Sequence, residues 1–144
     1  MLNKNTFSTF DVLKILSIDR ERLREWMNRG FVIPTSPAVG QGTKALFTIL
    51  DVFKIALFKK LIEAGINRKK ASILVKTNPR LDSLEDVKNI NFILVIDKKE
   101  GATWINYLEP GPWTIEKDIT EDESWNIGIL INFKKLRKEI EGSI

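Results

Sequence analysis

The segment Ser17-Ile18-Asp19 constrains this chain more than any other, because of what lies on either side of it. Before it, Val12, Leu13 and Leu16, with Phe10 near the start, mark the packing face of a short helix over residues 9–16. Ser8 and Asp11 have the spacing of a capping box for that helix, with Asp in place of the preferred Glu. After it, Asp19 is a good N-cap for a second helix. That helix should stop at Gly30, which adopts the left-handed conformation at little cost, and Pro34 blocks any restart. Leu23, Trp26 and Met27 then fall on its inner face, and Arg20, Arg22, Arg24 and Asn28 on its outer face. Two short helices joined by a tight turn, the second lined with arginine, form the pattern of a helix-turn-helix that binds DNA.

Downstream, Phe31 and Ile33 are expected to tuck back into the core. Residues 35–44 are rich in Gly, Pro and Ser and lead into an extended stretch, Ala45-Leu46-Phe47-Thr48. From composition, this loop reads equally as a wing or as an ordinary surface connection. Thr48 can cap a third helix over 50–64, which Gly65 ends. Its apolar residues cover more than one stripe, so it should be buried on two sides. Asn67 caps a fourth helix over 68–76, with Ala71, Leu74 and Val75 inward. The first turn of that helix, Arg68-Lys69-Lys70, opposes the helix dipole. A bound phosphate would relieve the conflict, and solvent alone would tolerate it.

Beyond residue 80 the pattern changes. Residues 81–89 allow two or three helical turns; 91–96 read as a strand, 97–101 as its turn and 102–108 as the returning strand. Glu109-Pro110-Gly111-Pro112 breaks the chain, residues 113–115 suit a short edge strand, and the acidic run 118–123 suits a loop. Ile127-Gly128-Ile129-Leu130-Ile131 is apolar on both faces and so is expected at the centre of the sheet. A closing helix over 133–141 carries Leu136 and Ile140 on one face. Trp104, Tyr107, Trp113 and Trp125 suit an effector pocket, a core or a dimer interface. The expected fold class is α+β: an N-terminal, mostly helical unit over 1–78, then a small dimerisation or sensing module over 79–144 with an antiparallel sheet and a closing helix.

Charge separates the same two halves. Residues 1–80 carry 15 Lys and Arg against 6 Asp and Glu, a net +9, whereas residues 81–144 carry 8 against 13, a net −5. A basic half with an acidic half turned away suits a polyanionic partner. The absence of Cys and His removes disulfides, thiolate or imidazole metal sites and the usual catalytic triads. The remaining carboxylates cluster in loops, so no enzyme, cofactor or metal site is expected. No apolar run approaches the roughly 18 residues of a membrane span, and no signal-peptide pattern opens the chain. A cytoplasmic protein without membrane contact is expected.

The ordered set of pieces resembles one family. Leu23-Arg24-Glu25-Trp26 through Gly30-Phe31-Val32-Ile33-Pro34, then Gly42-Thr43-Lys44-Ala45-Leu46-Phe47-Thr48 and Asp51-Val52, is similar to the MerR-type winged helix-turn-helix. Leu61-Ile62-Glu63-Ala64-Gly65-Ile66 is similar to that family's junction between third and fourth helices. The likeness covers residues 7–76. It implies a homodimer on double-stranded DNA, second helices in successive major grooves and wings on the flanking backbone. It also implies DNA contacts for Arg24, for Trp26 at an aromatic position, and for Thr43 and Lys44 in the wing. Glu21, Glu25 and Ala45 depart from it, since basic or aromatic residues are frequent there. That lowers the expected number of phosphate contacts and the salt dependence. The long dimer-forming helix of the best-known members has no counterpart here.

On their own chemistry, Arg20 and Arg24 lie four apart on one helix face, with Arg22 and Asn28 further round. A guanidinium can donate two parallel hydrogen bonds to guanine or phosphate. The leading expectation is therefore a sequence-specific transcriptional regulator. An architectural or recombination accessory protein and a protein-interaction module stay open beside it. A small-molecule effector is compatible with this reading, though no residue specifies one.

Overall fold

The computed structural model describes residues 6–98, 101–107 and 125–144, and side chains over 6–96 and 127–144. The fold is mixed helix and sheet, with two small antiparallel sheets. The order is β1 (Phe7–Ser8), α1 (Thr9–Leu16), α2 (Arg20–Asn28), β2 (Leu46–Phe47), α3 (Ile49–Glu63) and α4 (Arg68–Lys76). A 3-10 turn (Pro79–Asp82) follows, then α5 (Leu84–Asn89), β3 (Phe92–Lys98), β4 (Gly101–Tyr107), β5 (Trp125–Asn132) and α6 (Phe133–Gly142).

Side chains at the helix starts account for the boundaries. Ser8 and Asp11 form the expected capping box, Ser8 N donating to Asp11 Oδ2 at 2.9 Å and Asp11 N to Ser8 Oγ at 3.1 Å. Asp19 accepts from Arg22 N at 2.9 Å, and Asn67 accepts from Lys70 N at 2.8 Å. The ends are set by left-handed residues. At Gly30 (φ +73°) the Gly30 N–H bonds Met27 O and the Phe31 N–H bonds Trp26 O; Gly65, with Leu61, Ile62 and Ile66, repeats the arrangement. The turn between α1 and α2 uses Ser17 instead, a non-glycine residue at φ 52°.

α3 is the axis of the molecule. Val52, Phe53, Ile55, Ala56, Leu57, Phe58 and Leu61 are buried around its circumference. On one side Phe58 meets Trp26 edge-on with ring centroids 5.0 Å apart. On the other, Phe53 packs against Phe133 of α6 at 6.2 Å. One hydrophobic core thus runs across residue 78 without interruption. A further tie crosses the same point: Lys54 pairs with Asp82 at 2.8 Å.

Three expectations need correction. Phe10 is 67% and Ile33 61% exposed; Val32 and Pro34 return to the core in place of Ile33, because the turn at Gly30 points alternate residues inward. The second sheet has the order β4-β3-β5, so β3 is central and β5 lies outside it. Ile93 and Val95 pair with Ile131 and Ile129 on the core face, and Leu94 and Ile96 with Leu130 and Gly128 on the other. An apolar pattern on both faces suits a central strand, but it equally suits a strand that presents both faces at an edge. The expected strand 113–115, the acidic loop 118–123 and the side chains of Trp104, Tyr107, Trp113 and Trp125 lie outside the described residues and side chains. Among the described residues, no helix is long and apolar enough to cross a membrane.

Candidate nucleic-acid interface

α2 owes its placement to what holds it from three directions. Its N-terminus is capped by Asp19, and the turn before it is fixed where Ile18 N donates to Leu13 O at 3.1 Å and Lys59 Nζ to Leu16 O at 3.0 Å. Its inner face is anchored by Leu23 and Trp26, both 0% exposed. Its C-terminal turn is gripped by α4, since Ser72 Oγ donates to Phe31 O at 2.9 Å and Lys76 Nζ donates to Gly30 O. Phe31 also stacks on Phe58 at 6.0 Å. The outer face is left rigidly presented.

On that face Arg20, Arg24 and Asn28 are all exposed. They stand four residues apart in series, which aligns them along one side of the helix. Glu21 and Glu25 are exposed beside them, and Glu25 reaches Arg29 at 3.6 Å. Such an exposed pair contributes little to stability and leaves Arg29 able to turn outward. Arg22 behaves differently. Its guanidinium lies over the Trp26 ring at 5.0 Å, half-buried, so its charge sits on the flank of the helix.

Trp26 is thereby corrected as a contact residue. It is fully enclosed against Phe58, and its indole N–H has no hydrogen-bond partner among the described residues. Its size and its position three residues after Leu23 place it under the helix, supporting the arginines from beneath.

Thr43 and Lys44 are carried on a separate element. Residues 37–45 are closed off by a bridge in which Leu46 N donates to Ser36 O at 2.8 Å and Ser36 N to Leu46 O at 3.1 Å. Within the loop, the Thr43 hydroxyl accepts from Val39 N at 2.9 Å and donates to Gly40 O at 2.8 Å. Its hydrogen bonds shape the turn, and Lys44 next to it is exposed. The base of the loop is tied to α3 through one carboxylate. Asp51 Oδ2 accepts from Thr35 N at 2.8 Å, Thr35 Oγ1 at 2.6 Å and Thr48 N at 3.0 Å.

Sequence reasoning missed the positioning residues Lys59, Ser72 and Lys76. Each bonds a backbone carbonyl more than 40 residues away, and periodicity carries no signal for such a contact. Arg68 and Lys69 at the start of α4 are exposed, as expected. No family model matches the chain, and no curated protein is similar to it.

Proposed function

We propose that this protein is a sequence-specific, double-stranded DNA-binding transcriptional regulator of the winged helix-turn-helix type, acting as a homodimer. The observation that carries the reading is the exposed row Arg20, Arg24 and Asn28 on a helix whose opposite face is locked into the core. A major groove admits one α-helix, and a guanidinium or carboxamide can pair bidentately with a base edge there. α2 enters the groove, and loop 37–45 carries Lys44 to the flanking phosphates. Arg22, turned onto Trp26, contributes positive field more than base contact. The net +9 of residues 1–80 supports approach to a polyanion.

Fluorescence anisotropy on the fragment upstream of the protein's own gene, beside a scrambled duplex and across salt concentrations, tests this. Preference for the upstream fragment by about a thousandfold or more is expected of specific recognition. Arg24→Ala is expected to cost roughly 1–3 kcal/mol of that preference. Lys44→Ala should weaken both duplexes alike and reduce the salt slope by about 1. Equal affinity for both, steep in salt, would favour an architectural role. Absence of binding at low salt would sink the DNA reading and favour a protein partner, for which Glu21 and Glu25 already lie on the same face.

A further inference from the structure

We propose that Glu21 is a specificity-determining residue of α2, its carboxylate accepting a hydrogen bond from the exocyclic amine of a cytosine in the major groove. The inference rests on the DNA reading above and names a base that its interface selects.

The direction of each side chain follows from the helix period. At 3.6 residues per turn, each residue of α2 advances by about 100° around the axis. Leu23 and Trp26, both fully buried, fix the inward direction, and Glu21 and Asn28 each lie about 170° away from it. Arg24 and Glu25 flank that line, one on either side, each about 130° from the inward direction. Arg22 comes out at about 70°, in agreement with its half-buried place over the Trp26 ring. The centre of the outer face in the first turn is therefore a carboxylate, with the arginines beside it.

That carboxylate is exposed and open to a partner. Asp19 already caps the helix by accepting from Arg22 N at 2.9 Å, so Glu21 is not needed for that bond. A first-turn anion complements the helix dipole from any side of the helix, which gives no reason for the outermost position. Glu25 reaches Arg29 at 3.6 Å, whereas no ion pair joins Glu21 to Arg20, Arg24 or any other described residue.

A carboxylate brought to DNA is repelled by phosphate and by base edges made of acceptors. In the major groove guanine offers N7 and O6, thymine offers O4 and a methyl group, and adenine sets its N6 amine beside the N7 acceptor. Cytosine alone presents an amine with no acceptor on the same base. Glu21 gains with cytosine and loses with the other three, with adenine least. Arg24 lies three residues on, adjacent on the helix surface, and a guanidinium suits guanine O6 and N7. Together the two side chains offer an acceptor and paired donors, the complement of the edge that a C·G pair displays.

Selection from a duplex library randomised over about 20 base pairs, enough for two half-sites one helical turn apart, tests the proposal on the full chain. The wild type should recover a motif in which one C·G pair is preferred by about tenfold over the other pairs. Glu21→Gln should move that position to adenine, because a carboxamide pairs with N6 and N7. Glu21→Ala should erase the preference there and keep the other positions. Both variants should bind a scrambled duplex several-fold more tightly, the repulsion having gone, with thermal melting unchanged. Glu25→Ala should keep the C·G preference. The same C·G preference in Glu21→Gln and Glu21→Ala overturns the inference and leaves the DNA reading intact. Duplex binding with no enriched motif overturns it together with sequence specificity. Absence of binding at low salt overturns both and turns Glu21 towards a basic protein surface.

Discussion

α2 and β5 divide their residues in opposite ways. α2 buries Leu23 and Trp26 and exposes Arg20, Arg24 and Asn28, so its outer face is polar. β5 buries Ile131, half-buries Ile129 and exposes Ile127 and Leu130, so its outer surface is apolar in the isolated chain. An outer face rich in guanidinium suits an aqueous polyanion, which replaces water by charged oxygen. Exposed Ile127 and Leu130 give β5 an apolar character that α2 lacks. One surface is polar and charged, the other apolar.

The comparison breaks most severely at the inner anchor of α2. Trp26→Ala removes a side chain enclosed by Phe58 and covered by Arg22, and should destabilise the fold by about 3–5 kcal/mol in urea denaturation. The indole N–H has no hydrogen-bond partner among the described residues, so the expected loss is one of packing and not of a hydrogen bond. Trp26→Phe keeps most of the packing and should cost about 1–2 kcal/mol. If Trp26→Ala were no worse than Trp26→Phe, the helix would not be held from beneath.

The matching anchor of β5 is shallower. Ile131 faces Ile93 on the core side of the sheet and retains slight exposure. Ile131→Ala should cost about 2–3 kcal/mol, less than Trp26→Ala, because the edge can relax inward. Equal losses for the two substitutions would mean that β5 is as enclosed as α2.

The same contrast explains what was legible in the sequence. Helix ends in the first half follow from local chemistry: Ser8 with Asp11, Asp19, Gly30, Thr48, Gly65 and Asn67 each act within a few residues of themselves. The inward face of α2 follows from its period. The position of β5 does not follow, because an apolar run does not record which neighbours it packs against. Trp26 stood at the border between these cases. Its spacing from Leu23 placed it inward, while the family likeness placed it among the contacts, and the packing against Phe58 decides for the core.

Asp51 ties the base of loop 37–45 to the start of α3, and its loss should be felt there first. Asp51→Ala removes the acceptor for Thr35 N, Thr35 Oγ1 and Thr48 N, and should cost about 1–2 kcal/mol as a lost cap with stranded donors. Hydrogen exchange should accelerate at Thr35 and Thr48 and leave α6 unaffected. Uniform acceleration across the chain would mean that the carboxylate supports the whole core and not this corner.

The smallest effect expected lies at Ser17, and it has the opposite sign. Gly30 and Gly65 take the left-handed conformation at the ends of α2 and α3, but the end of α1 holds a serine at φ 52°, ψ 49°. An L-residue there carries roughly 1–2 kcal/mol of strain. Glycine would relieve it and give back part of the gain as greater freedom of the unfolded chain. Ser17→Gly should therefore stabilise the protein by about 0.5–1 kcal/mol, raising Tm by roughly 2–3 °C. DNA affinity should be unchanged, since Asp19, Leu23 and Trp26 still set the direction of α2. A loss of stability on this substitution would mean that the Ser17 side chain contributes more to the corner between α1 and α2 than its backbone costs.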